Sequence, residues 1–233
     1  MALTATDFVD TCAAFADKYS YLTQSQWGQE IHRSGYLGWT WTPHPLWPAF
    51  GYLSRTAPVS FVARSMDATS EVISEQEDDL EDVLPSSVSM PLFDSKPILS
   101  ATQYIVYSPS FQVPAFYFLV SDASGTPLPL ENMIQTSLFR PSSLASTTIH
   151  ETHIDLPQSQ ASQEAANFPL LSQGDHPVLG IPCFYLHPCE TQKAVEELLS
   201  ARQMESNGDQ TLGKEAWIET WLLVLGNVFN LEN

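Results

Sequence analysis

The side chain best placed for chemistry is the cysteine in the run His187-Pro188-Cys189-Glu190-Thr191. Apolar alternation over residues 181–187 predicts a strand before it. Val195, Leu198, Leu199 and Arg202, along one side, predict a helix from about Thr191 after it. A thiolate at a helix N-terminus faces unsatisfied backbone N–H groups and the positive dipole end, which both favour the charged, nucleophilic form. Pro188 keeps the strand from continuing smoothly, so the sulfur can be presented at an edge. Glu190 acts against this, because a neighbouring negative charge disfavours the thiolate. A structural cysteine beside a helix cap fits the same spacing. Cys12 and Cys183 fall on an apolar helix stripe and a strand interior, and both read as small core hydrophobes.

Two other sites compete. A cysteine hydrolase would pair Cys189 with His150, His153 or His176 as base, and nothing in the spacing fixes such a triad. His150-x-x-His153, with Glu151 and Asp155, offers metal-ligand types, but no second cluster lies at zinc-finger spacing. Its Thr-rich polar setting reads as a solvated loop, so no metal or cofactor is expected. No glycine-rich phosphate loop is present either, and nucleotide binding is not suggested.

The elements that must position Cys189 follow from periodicity. Phe8, Cys12, Phe15 and Tyr19 recur at helical spacing behind a Thr6 or Asp7 cap. Trp39 and Trp41 alternate with Thr40 and Thr42 as on a half-buried strand, up to Pro43. Residues 50–64 have strand-like content broken at Pro58. Residues 103–107 and 114–120 are β-branched and aromatic on either side of Ser108-Pro109-Ser110, which predicts a hairpin. A last helix over about 214–225 is apolar nearly all round, through Trp217, Ile218, Trp221, Leu222, Val224 and Leu225. A first helix, four antiparallel strands and helices at the far end make an α+β fold with segregated helices.

Composition bounds the partners. The 233 residues carry 27 acidic and 9 basic side chains, a net charge of −18, which repels phosphate backbones and anionic surfaces. Nucleic acid is therefore not an expected partner. The apolar stretches are too short to span a bilayer, so no stable membrane insertion is expected. The first basic residue is Lys18, which leaves the N-terminus without the charged region of a secretory signal. Three cysteines are too few for a disulfide framework, and a reduced, cytoplasmic setting is expected. Residues 65–95 hold nine acidic residues and no basic one, half of the net charge. One domain over residues 1–233 is expected, with an acidic loop at about 65–97 and a second polar loop at about 140–167.

Several segments together resemble one family, the autophagy ubiquitin-conjugating-like enzymes. Tyr107-Ser108-Pro109-Ser110-Phe111-Gln112-Val113-Pro114 is similar to its Tyr-Ser-x-Ser-(Tyr/Phe)-Gln-Val-Pro segment. Asp175-His176-Pro177-Val178-Leu179-Gly180-Ile181-Pro182, running into Leu186-His187-Pro188-Cys189, resembles its (Glu/Asp)-His-Pro-x-Leu-Gly-x-Pro…His-Pro-Cys stretch. Gly125-Thr126-Pro127-Leu128, Trp39-x-Trp41-x-Pro43, Gly51-Tyr52-Leu53 and Trp221-Leu222 lie in the corresponding order. The set is most similar to the branch of autophagy-related protein ten. The branch of autophagy-related protein three shares His-Pro-Cys but not the His-Pro-x-Leu-Gly lead-in.

The resemblance implies a ubiquitin-conjugating-enzyme-like core and a catalytic Cys189. It implies that Cys189 takes a ubiquitin-like modifier (autophagy-related protein twelve) as a thioester from an activating enzyme (autophagy-related protein seven). The modifier would then pass to a lysine of the target, autophagy-related protein five. Such a cysteine needs only exposure and moderate nucleophilicity, since thiols are a few per cent ionised near neutrality without a base. Where ubiquitin-conjugating enzymes proper have His-Pro-Asn, His176-Pro177 is followed by Val178, so their oxyanion asparagine has no counterpart. Tyr107 and Gln112 are candidates for that role, although core packing suits Tyr107 better. Phe111 stands where relatives often have tyrosine. An inactive partner-binding scaffold of the same fold and a thiol hydrolase are the alternative readings.

Overall fold

The computed structural model describes residues 3–24, 34–47, 50–62, 98–144, 148–149, 153–155, 169–188, 191–205 and 213–232. The acidic stretch at about 65–97 lies outside them.

Helix α1 (Ala5–Gln24) opens the chain. Its cap is Thr4 rather than Thr6 or Asp7. The Asp7 backbone N–H donates to Thr4 Oγ1 (3.1 Å), and the Thr4 N–H and hydroxyl donate to Asp7 Oδ2 (3.2 and 2.5 Å). This reciprocal pairing satisfies two donors that a bare helix start leaves open. The hydrogen bonds from Thr4 hold the Asp7 carboxyl below its usual range. Phe8, Cys12, Phe15 and Tyr19 form the buried stripe that periodicity predicts.

An antiparallel sheet follows, built from β1 (Thr40–Thr42), β2 (Tyr52–Val59), β3 (Leu99–Ser108), β4 (Val113–Ser121), β5 (Thr148–Ile149), β6 (His153–Asp155), β7 (Pro169–Asp175) and β8 (Pro182–Leu186). Their order is β1-β2-β3-β4-β8-β7-β6-β5. The sheet is thus larger than the four strands expected: β1 to β4, β8 and β7 make six, and the short β6 and β5 extend it at one edge. Short strands at 148–149 and 153–155 also lie within the stretch that composition reads as a polar loop.

Strand β2 is not broken at Pro58. Pro58 pairs with Ser100 on the β3 side, while β1 reaches only Ser54 on the other, so the missing proline N–H faces no partner strand. The hairpin of β3 and β4 holds as predicted, with Tyr104 opposite Tyr117 and Ser108 opposite Val113. Leu53, Ile105, Phe116, Phe118, Leu171, Phe184 and Leu186 point to one face, and the helices cover it. On the other face an uncharged row runs across six strands: Thr40, Ser54, Tyr104, Tyr117, Tyr185 and Ser172.

The remaining helices are a single turn, α2 (Leu130–Met133), then α3 (Thr191–Glu205) and α4 (Ala216–Leu225). Ile218, Trp221, Leu222 and Leu225 of α4 are buried, and Phe229 beyond it packs on Phe116 and Phe118 at 4.7 and 5.1 Å between ring centroids. Lys18 of α1 binds Glu215 (2.8 Å) and Glu219 (2.7 Å), and the Tyr19 hydroxyl also donates to Glu219 (2.8 Å), which ties α1 to α4. On α3, Val195 is buried and Leu199 packs against the core. Leu198, predicted on the same side, is exposed, because the covered stripe narrows to Val195 and Leu199. The molecule is α+β with its helices segregated, as a ubiquitin-conjugating-enzyme-like core requires.

Candidate active site

Cys189 and Glu190 lie outside the described residues; the residues on either side of them are defined. Strand β8 ends at Leu186, opposite Phe116 near the start of β4. The His187 N–H continues the ladder to the Leu170 carbonyl (3.0 Å). Pro188 is buried, and the buried Thr191 hydroxyl donates to its carbonyl (2.9 Å) at the start of α3. The polypeptide is therefore anchored immediately before position 189 and immediately after position 190.

The turn joining β3 and β4 closes on this end of the sheet. Gln112 sits in the left-handed region (φ 54°), and its N–H donates to the Ser108 carbonyl (2.8 Å). This places the half-exposed Phe111 edge-on against the His187 ring, 5.1 Å between centroids. Burial lowers the His187 pKa, so this imidazole is neutral at neutral pH. Sequence reasoning missed the contact between Phe111 and His187. The signal for it is the pairing of β4 with β8, which periodicity does not report.

The two oxyanion candidates fare differently. The Tyr107 hydroxyl donates to the Leu3 carbonyl (2.9 Å), and its ring packs on Phe8 at 5.7 Å, so Tyr107 serves the seam between sheet and α1. Gln112 is exposed, beside Phe111 on the turn.

Histidine 176 is remote from His187 and Pro188, the described residues that lead to position 189. It opens the connection between β7 and β8, with its N–H donating to the Ile181 carbonyl (2.8 Å). His187 lies six residues beyond Ile181, roughly 20 Å at strand rise. His176 is fully buried; its Nδ1 accepts from the Val178 and Leu179 N–H groups (3.2 and 3.1 Å), and Tyr52, Tyr104 and Tyr117 surround the ring. Burial pushes its pKa down to about 4. An imidazole this weakly basic, with Nδ1 already bonded and lying at the far end of β8, does not suit a general base for Cys189. His150 lies outside the described residues, and His153 is in β6. Among the described residues no group of three or more His, Cys, Asp or Glu could hold a metal ion.

Cys12 and Cys183 are core residues, as predicted. Burial raises both thiol pKa values, that of Cys183 to about 11, so neither offers a thiolate near neutrality.

Residues 7–233 match the model of a family described as "Autophagocytosis associated protein, active-site domain". The chain belongs to that family. It is similar to three curated proteins, each named ubiquitin-like-conjugating enzyme ATG10. The one from Dictyostelium discoideum is 30% identical over 132 residues, 55% of this chain and 49% of the relative. The human one is 27% identical over 135 residues, 58% of this chain and 50% of the relative. The one from Arabidopsis thaliana is 25% identical over 250 aligned residues, 98% of this chain and 92% of the relative. The chain thus spans about half the length of the first two relatives and nearly all of the third.

Proposed function

We propose that the chain is a single-domain, cytoplasmic ubiquitin-like conjugating enzyme of autophagy, with Cys189 as its catalytic residue. The family match over residues 7–233 carries this reading, because the matched relatives share the name ubiquitin-like-conjugating enzyme. The anchoring of Pro188 and Thr191 adds to it. A nucleophile between a strand end and a helix start, held at both flanks, needs little reorganisation to meet a large acyl donor.

In this reading Cys189 sulfur, as thiolate, attacks the modifier's C-terminal carbonyl in its thioester on the activating enzyme. A new C–S bond forms, the old one breaks, and the activating enzyme's cysteine leaves as thiolate. The partners are modifier twelve, activating enzyme seven and target five of the autophagy-related proteins. In the second step a neutral lysine amine of the target attacks the same carbonyl. The C–N bond forms, the bond to Cys189 breaks, the amine proton passes to solvent, and Cys189 returns as thiolate. No base is needed at the first step, since a few per cent of an ordinary thiol is ionised near pH 7.

The test incubates the chain with activating enzyme, modifier and ATP and resolves the products without reductant. An adduct that thiol collapses is expected with the wild type, and a reductant-resistant oxyester with Cys189→Ser, because an alkoxide leaves less readily than a thiolate. Absence of any adduct would favour the inactive scaffold of the same fold.

A further inference from the structure

We propose that Leu46, Trp47 and Phe50, between β1 and β2, form the docking surface for the acceptor protein, one that offers an apolar groove beside an exposed lysine. The proposal rests on the conjugating-enzyme reading and adds the surface that holds the substrate in the second step.

Placement is the first argument. Thr42 pairs with Tyr52, Tyr52 with Val106, Ser108 with Val113, and Phe116 with Leu186. The β1–β2 connection, the Ser108–Gln112 turn and His187 therefore emerge from one end of the sheet. At about 4.8 Å between strands, the connection lies roughly 10 Å from the turn and 17 Å from His187. A protein footprint of about 800 Å² spans such a separation.

Exposure and construction supply the second argument. Leu46 is 77% and Trp47 63% exposed, so neither contributes to the core. Their backbone is nonetheless built. His44 Nδ1 accepts from the N–H groups of Leu46 (3.3 Å) and Trp47 (3.0 Å), and Phe50 N–H donates to the Trp47 carbonyl (2.8 Å). A Cβ at Gly51 would come within 2.4 Å of the Trp41 ring, so only glycine lets the chain return to β2 there. Exposed Trp on a shaped turn is characteristic of interface anchors.

Charge selects the acceptor. Residues 42–50 carry no Asp, Glu, Lys or Arg, in a chain with 27 acidic side chains. A lysine-bearing surface is drawn by the net charge of −18, while the apolar loop buries without desolvating a carboxylate. The modifier is joined covalently to the enzyme at the moment of transfer, whereas the acceptor is held only by contacts.

The experiment combines Leu46→Ser with Trp47→Ser and follows charging and transfer separately in single turnovers. The variant should melt like the wild type and charge within about twofold of its rate, since both side chains are exposed. Transfer to the acceptor at low concentration should fall at least tenfold and recover as acceptor is raised, a KM effect. A fall in charging would assign the loop to the activating enzyme or modifier, and a change in self-association would assign it to a second copy; either overturns the proposal, as does unchanged transfer. If the wild type forms no thioester, the conjugating reading fails. Calorimetric titration of the acceptor into both forms then still decides the docking: equal affinities overturn it, a tenfold loss sustains it.

Discussion

Protonation of His176 is expected to govern the acid stability of the sheet. The ring is completely buried, Nδ1 accepts two backbone N–H groups of its own turn, and three tyrosine rings enclose it. The neutral form therefore carries its proton on Nε2, and protonating Nδ1 forfeits both bonds while placing a charge out of water. Burial brings the folded-state pKa to about 4, against 6.5 for the free side chain. The unfolded chain thus takes up the proton first. Stability from this group is fully present above about pH 6.5, falls as pH drops toward 4, and is constant below. A difference of about 2.5 pKa units corresponds to about 3 kcal/mol. His176→Phe isolates this contribution from that of the carboxylates. At pH 7 the variant should be less stable by about 1–3 kcal/mol, because two turn N–H groups lose their acceptor. Between pH 6.5 and 4 that gap should close by about 3 kcal/mol, and the variant should become the more stable form if its initial loss is small. Urea unfolding of both proteins at half-unit pH steps measures it, and proton NMR follows the imidazole itself. A gap independent of pH, or an imidazole titrating near 6.5, would refute the reasoning and show that the tyrosine rings stabilise the cation instead.

Two core predictions follow. Trp221→Ala should destabilise by about 3–5 kcal/mol as a large truncation at a fully buried site, and Trp221→Phe by much less, because the indole Nε1 has no partner among the described residues; chemical denaturation decides between the two. Arg55→Met should cost about 3–5 kcal/mol: the buried guanidinium donates to Gln103 and to the carbonyls of Gly35, Leu37 and Leu231, stacks on Trp39, and its removal strands those acceptors, so a melting temperature within about 3 °C of wild type would contradict this role.

Elements whose own residues carry the period were legible. The stripe of α1, the β3–β4 hairpin, the alternation through Cys183 and Phe184, and the apolar α4 needed no tertiary information. Strand β7 is different. Pro-Leu-Leu-Ser-Gln-Gly-Asp has no β-branched residue and includes both Pro and Gly, so local preference argues against a strand. It is one because β8 pairs with β4 on one side and requires a partner on the other. Arg55 was equally hidden, since composition places arginine at the surface. Only the meeting of β2 and β3 with Gly35 and Leu231 supplies the acceptors that let it be buried.

The candidate site divides along the same line. Cys189 could be singled out because a strand, a proline and a helix start are consecutive in sequence, and each is a local signal. The surroundings could not be. Phe111 and His187 are separated by more than seventy residues, and they touch because β8 lies beside β4 rather than beside β7 alone. The same register removes candidates. Tyr107 is one step from the turn on the core-facing side, so its hydroxyl reaches Leu3. His176 is at the other end of β8, so it closes a hairpin over three tyrosines instead of serving Cys189. Pairing thus determines which polar groups can act together, and a nucleophile that relies on its flanks rather than on a fixed base is compatible with a site whose described histidine, His187, is made less basic by burial, while His176 lies at the other end of β8.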